Sequence, residues 1–293
     1  MRFWKRNSRA AKITALVLVC SCALAGPNNS KPDKAKLAEK SFAQLSDKTL
    51  SERARLALET DKTKWRHGET EHFVYHFQRI TEAQKLAREA EFYYDKIRED
   101  IGGGDDLLEG KSHVIMFAKP GEWKNFTLAA NVPEWSVGFA AGREMFMLVE
   151  AGDSDASDRL AHEMTHLVFF RFVPKPVPLW LHEGLAEYES KAAYAEFKGI
   201  GLKPTTGQRP PPMDLDRLTS LTQYPEQPFE VVQFYRQSER LVRFLISKHR
   251  KGQFVPFVNL LADGATFEQA LLKTYSDKYR KIGDFQKQFD RFQ

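Results

Sequence analysis

The chain has 293 residues, 42% of them hydrophobic and 28% charged, which is enough apolar material for a buried core. Its net charge of +5 comes from 44 Lys+Arg against 39 Asp+Glu, yet residues 1–25 hold five of the bases and no acid, so bases and acids balance from residue 26 onward. That balance excludes the basic footprint by which nucleic acid or an anionic membrane is bound. The only cysteines, Cys20 and Cys22, lie in the same leading segment, so no disulfide staples the rest.

Arg2, Lys5, Arg6, Arg9 and Lys12 lead into ITALVLVCSCALA, a basic region followed by an apolar run of export-signal length, too short for an ordinary membrane span. Residues 1–25 are therefore expected to be a signal segment, and the protein to be exported to the periplasm or cell envelope. Two processing routes stay open. VCSC (Val19–Cys22) resembles a bacterial lipoprotein box, with the lipid on Cys22 as the one expected membrane contact, whereas ALA (Ala23–Ala25) suits cleavage before Gly26.

GPNNSKPDK (Gly26–Lys34) has linker composition, and Ala35 to about Leu58 has a helical period with a thin apolar stripe, so 26–65 is expected to be linker and peripheral helix. EHFVYHF (Glu71–Phe77) alternates as a strand does. Thr81 can cap a helix that ends at Gly102–Gly104. SHVIMFA (Ser112–Ala118) and GREMFMLVE (Gly142–Glu150) are further expected strands, the latter as the sheet edge over a cleft. Residues 66–152 thus form an N-terminal α/β part. From Asp153 the pattern is helical to the end, broken only by KPTTGQRPPPMD (Lys203–Asp214), and 153–293 are expected to hold the motif helices and a helical C-terminal subdomain. Strands first and helices after argue for an α+β fold with segregated layers.

The chemistry concentrates in SDRLAHEMTHLVFFRF (Ser157–Phe172). On a helix, His162 and His166 share a face and can present imidazoles to one ion. Glu163 is offset, where its carboxylate reaches a water on the metal as general base without itself ligating. Composition alone gives on the order of one such H-E-x-x-H match per hundred chains of this kind, so a third ligand has to decide. An extended H-x-x-G-x-x-H pattern is excluded, because Phe169 and Phe172 stand where it needs glycine and histidine. A second helix begins near PVPLWLHEGLAEYES (Pro176–Ser190), and its Glu183 is far enough along to return onto the first helix. Neighbouring His182 points about 100° away from it, so the two cannot easily face one ion. His67, His72, His76, His113 and His249 have no ligand-like spacing.

HEMTH followed by LWLHEGLAEY (Leu179–Tyr188) resembles the gluzincin metallopeptidases, especially the bacterial peptidase MA-like group and, more distantly, the zinc aminopeptidases, whose second motif reads W-L-x-E-G-x-A. The resemblance covers roughly Glu71–Leu261, and YRQSERLVRFL (Tyr235–Leu245) is similar to a further segment of the peptidase MA-like proteins. It implies a zincin-like fold, with a small mixed sheet, an H-E-x-x-H helix and a helical C-terminal subdomain. One Zn2+ per chain would be held by His162, His166 and Glu183, with Glu163 as base. The resemblance also makes Glu187 the carboxylate that orients a ligand histidine, and Tyr235 the donor to the oxyanion, with Arg236 and Arg240 as alternatives. His182 would line the cleft or meet solvent, and Gly184 would let the two motif helices pack closely. The aminopeptidases' G-A-M-E-N anchor is not matched by GREMF (Gly142–Phe146), which argues against aminopeptidase specificity.

The expected function is therefore zinc-dependent hydrolysis of a peptide or protein substrate, endo- or exo-acting, without nucleic acid. A non-catalytic envelope protein that keeps the fold for binding or scaffolding is the competing expectation. Zinc with a purely structural role would favour four ligands including cysteine, which is lacking here.

Overall fold

The computed structural model describes residues 35–61, 64–102, 104–133, 136–201, 211–250 and 252–292. The expected signal segment and the lipidation or cleavage positions lie outside the described residues. Every element below belongs to the unit Asp33–Gln293.

Six strands form one mixed sheet in the order β1-β2-β3-β4-β6-β5. They are β1 (Ala38–Lys40), β2 (Arg66–Glu69), β3 (Phe73–Phe77), β4 (Ser112–Phe117), β5 (Gly138–Ala141) and β6 (Glu144–Leu148). The central β3, β4 and β6 run parallel, while β1–β2, β2–β3 and β5–β6 are antiparallel. Successive side chains of a strand leave on opposite faces, and the core divides accordingly. Phe73, Tyr75, Phe77, Val114, Met116, Met145 and Met147 join the larger cluster. Ile115, Phe117, Phe146 and Leu148 join a smaller one with Trp65, Trp123 and Phe126. Burial on both faces explains why these strands read as continuous apolar runs.

Helices cover both faces, so the layers are less segregated than the sequence pattern implied. The large cluster takes up α2 (Ile80–Asp100), α4 (Ala156–Phe172), α5 (Leu179–Lys198) and α7 (Pro228–Lys248), with α6 (Leu215–Ser220), α8 (Phe254–Ala262), α9 (Phe267–Thr274) and α10 (Ile282–Asp290) around them. The small cluster is roofed by α1 (Glu52–Glu59) and α3 (Pro120–Ala129).

Two sequence expectations are corrected here. Residues 35–58 are not one peripheral helix: they add strand β1, a 3-10 turn at Phe42–Gln44 and only then α1. The reason is polar anchoring that a helical period does not register. Ser51 N–H and Oγ donate to Glu144, and Arg143 Nη2 donates to Asp47 Oδ2 at 2.8 Å, pinning the segment to the sheet. The second correction concerns the edge. Strand β6 is interior and β5 is the edge strand on its side, because Gly142, at φ +59°, permits a tight β5–β6 hairpin that sets a further strand outside β6.

Helix α4 emerges shortly after β6 and is held at its far end by Arg171, which is 3% exposed. Its guanidinium donates to Asp106 at 2.5 Å, to Ser112 Oγ at 2.9 Å and to the carbonyls of Leu108 and Gly110. Pro174, Pro176 and Pro178 then forbid continued helix, and the chain reverses into α5. Among the described residues no helix is long and apolar enough to cross a membrane.

Candidate metal centre

The reversal lays α5 across α4 with its first turns over His162 and His166. Glu183 Oε2 then sits 3.7 Å from His162 Nε2 and 4.0 Å from His166 Nε2. One ligand atom from each of the three residues lies within 4.8 Å of the other two. A tetrahedral zinc with bonds near 2.1 Å would hold its ligands about 3.4 Å apart, so the donor set needs only a small contraction. The imidazoles meet edge to face, 84° between planes, which lets both nitrogens converge on one point.

Burial shapes the charge states. Desolvation would raise the Glu183 carboxyl, but hydrogen bonding with His162, His182 and the Tyr224 hydroxyl holds it well below the carboxylate range. Desolvation, with the neighbouring positive charge of His182, drives His166 well below the usual histidine range, into the neutral form that ligates. His162 goes the other way: burial opposes its charge, yet Glu183, Glu163 and Glu187 raise it.

Glu163 is pushed up to about 7, first by burial and then by the charge of Glu183, against the pull of His162 and His182. It takes a backbone hydrogen bond from Ala140 of β5. A methyl group on Gly138 would come 3.4 Å from Glu163 Cγ, so the same strand passes directly over the carboxylate. Alternation along the hairpin puts the backbone groups of Gly138 and Ala140 on its free edge, since Val137 bonds inward to Leu148. The Gly138 carbonyl accepts from Ser136 Oγ at 2.7 Å.

Glu187 Oε1 stands 3.7 Å from His162 Nδ1, the side away from Glu183, and its other oxygen accepts from Lys191 at 3.0 Å. That sets it beside the ring nitrogen of His162 turned away from Glu183, at ion-pair rather than hydrogen-bond distance. His166 Nδ1 is buried without a hydrogen-bond partner. His182 stacks on His166, centroids 3.9 Å apart and 18° between planes, so it walls the site beside Glu183 as its helical offset requires.

Tyr235 is half-buried and faces the same carboxylates, its hydroxyl raised to about 12 by burial and by Glu183. Stacked beside it is Tyr224, which the sequence reading missed. Its hydroxyl donates to Glu183 Oε1 at 2.6 Å, and its ring lies 23° from parallel to that of Tyr235. Nothing in LTQYPEQPF marks it: it sits in a loop outside both motifs, and only the fold brings it in. Arg240 is not at the site, because its guanidinium donates to the carbonyls of Phe289 and Phe292. Gly184 is also corrected. A methyl there would meet Ser238 O at 2.5 Å, so the close approach it permits is between α5 and α7, not between α4 and α5.

No protein-family model matches the chain, and no curated protein matches it. The fold and side chains define an α+β protein with a His2Glu group that could hold a metal ion.

Proposed function

We propose that the protein is an exported zinc-dependent peptidase with a zincin-like, gluzincin-type site. The observation that carries the reading is the convergence of His162, His166 and Glu183 within 4.8 Å, with the Glu163 carboxylate beside them under an exposed strand edge. Three protein donors leave a fourth position for substrate or water, the mark of a catalytic rather than a structural site. A zinc ion held there supplies Lewis acidity toward a carbonyl oxygen and makes water a better acid.

The chain's own groups account for the remaining steps. The Gly138 N–H and the Ala140 carbonyl, the groups on that edge not engaged by Ser136 or Glu163, offer backbone hydrogen bonds to an extended peptide, a form of binding indifferent to its sequence. Glu163 takes the proton from the attacking water and returns it to the leaving amine; its raised pKa, about 7, suits a group that must do both. The Tyr235 hydroxyl, close by and protonated, donates to the developing oxyanion.

Elemental analysis of the purified protein tests this. About one zinc per chain is expected after desalting, lost in His166→Ala, whereas Glu163→Gln should keep the metal and lose peptide cleavage by roughly 10²–10⁴-fold. Protein that keeps no zinc sinks the proposal. Zinc retained with no peptide cleaved favours instead the non-catalytic envelope role.

A further inference from the structure

Two cavities open on either side of the donor set, and they differ in chemistry. On the Glu163 side a cleft of about 330 Å³ is bounded by Ser136, Gly138, Asp158, Arg159, Glu187 and Lys191. On the His166 side lies a cavity of about 640 Å³ walled by Phe169, Phe170, Val173, Val177, Leu179 and Leu221. His166 and His182 form the end of the second cavity nearest the metal donors. A group lodged there is thus beside the metal donors, against walls that are mostly apolar, with Lys175, Thr219, Ser220 and Thr222 as the other polar residues around it.

Strand β5 gives this cavity a place along a bound peptide. It starts at Gly138, over Glu163 and the polar cleft. It leads directly into Gly142, where a methyl group would touch Phe170 Cε1 at 3.7 Å, and Phe170 also lines the apolar cavity. A peptide added antiparallel, the more stable alignment, runs the other way. Its N-terminal part then lies toward Phe170 and its C-terminal part toward Ser136.

We propose that the cavity walled by Phe169, Phe170, Val173, Val177, Leu179 and Leu221 is the subsite for a bulky apolar residue on the N-terminal side of the bond presented to the metal centre. The substrate class is therefore peptides with Phe, Leu or Met at that place, and the proposal rests on the peptidase reading above. The volume accommodates an aromatic side chain, and no carboxylate lines the cavity to pair with a basic one.

The test has two readouts. Binding of zinc-loaded Glu163→Gln is measured for blocked penta-alanine and for the same peptide with one Phe moved along it. Cleavage by the unmodified protein is then mapped on a mixed peptide library. Phe at one position should tighten binding at least about tenfold, and Phe, Leu and Met should accumulate in the N-terminal products. Leu221→Arg, at a partly buried loop position, should erase the binding preference, and Val177→Asp repeats the test should the first variant be unstable. Equal binding of all the peptides, or apolar residues gathering only in the C-terminal products, overturns the subsite. A binding preference without any cleavage keeps the subsite and removes the peptidase reading. Cleavage indifferent to the apolar residue does the reverse.

Discussion

Glu183 divides its two oxygens between two tasks. Oε2 faces the histidines, and Oε1 accepts from Tyr224 at 2.6 Å, which fixes the carboxylate's rotation before any metal arrives. Tyr224→Phe removes that hydrogen bond at a residue already half exposed, so the fold should persist while metal affinity falls about 10–100-fold in a chelator competition. An unchanged affinity would mean that Glu183 needs no such support. Tyr235→Phe should have the complementary phenotype, with metal affinity kept and kcat lowered about 10²–10³-fold, because its proposed hydrogen bond forms only as charge develops. At this scale the two histidines and Glu163 were legible in five letters of sequence, since i,i+4 spacing on a helix is a local property. Tyr224 was not, because its loop meets Glu183 across 41 residues of chain.

The motif's two halves meet because α5 is held between α4 and α7. Gly184 makes the α5–α7 contact possible, where the Ser238 carbonyl occupies the space a side chain would need. Gly184→Ala should therefore cost about 1–3 kcal/mol in urea denaturation and displace Glu183, lowering zinc content in parallel. If stability falls while zinc content stays at one per chain, the helix position matters less to the site than the geometry implies. Strand β5 teaches a different lesson. SVGFAA carries one large side chain, Phe139, among small ones and little alternation, so the strand left a weak periodic signal, and the stronger pattern of EMFML drew the edge assignment one strand too far inward. The hairpin turn at Gly142 and Arg143 was the available clue.

Across the whole molecule, three histidines with no ligand-like spacing join strands β2, β3 and β4. His67 Nδ1 and His76 Nδ1 lie 2.8 Å apart, and His76 Nε2 and His113 Nδ1 lie 3.0 Å apart. Asp47 and Arg143 stand at the far end of the row. One proton on each ring satisfies both contacts, so the row is consistent with three neutral imidazoles. Burial lowers all three, His113 to about 4, and lowers the more distant His249 to about 4 as well. The unfolded chain takes up these protons near pH 6.5 and the folded one does not. Their contribution to stability is thus complete above 6.5 and lost as pH falls toward 4, by about 1.4 kcal/mol per pH unit for each fully titrating histidine. Melting temperature measured in a chelator should decline through that window, less steeply in His113→Asn. A flat profile between pH 6.5 and 4 would count against the neutral row.

By itself the sequence pointed to the α+β class, the helical second half, and the grouping of His162, His166 and Glu183, which could hold a metal ion, with Glu163 beside them. Each of these follows from periodicity or from spacing within one or two helices, where side-chain direction is a function of residue number. Only the tertiary structure decided which strand forms the edge over the site, that Tyr224 braces Glu183, that residues 35–61 close the sheet, and that an apolar cavity flanks the donors. These depend on which distant segments pack together. Such packing is set by buried area and paired polar groups summed over the whole fold, quantities that no single stretch of sequence contains.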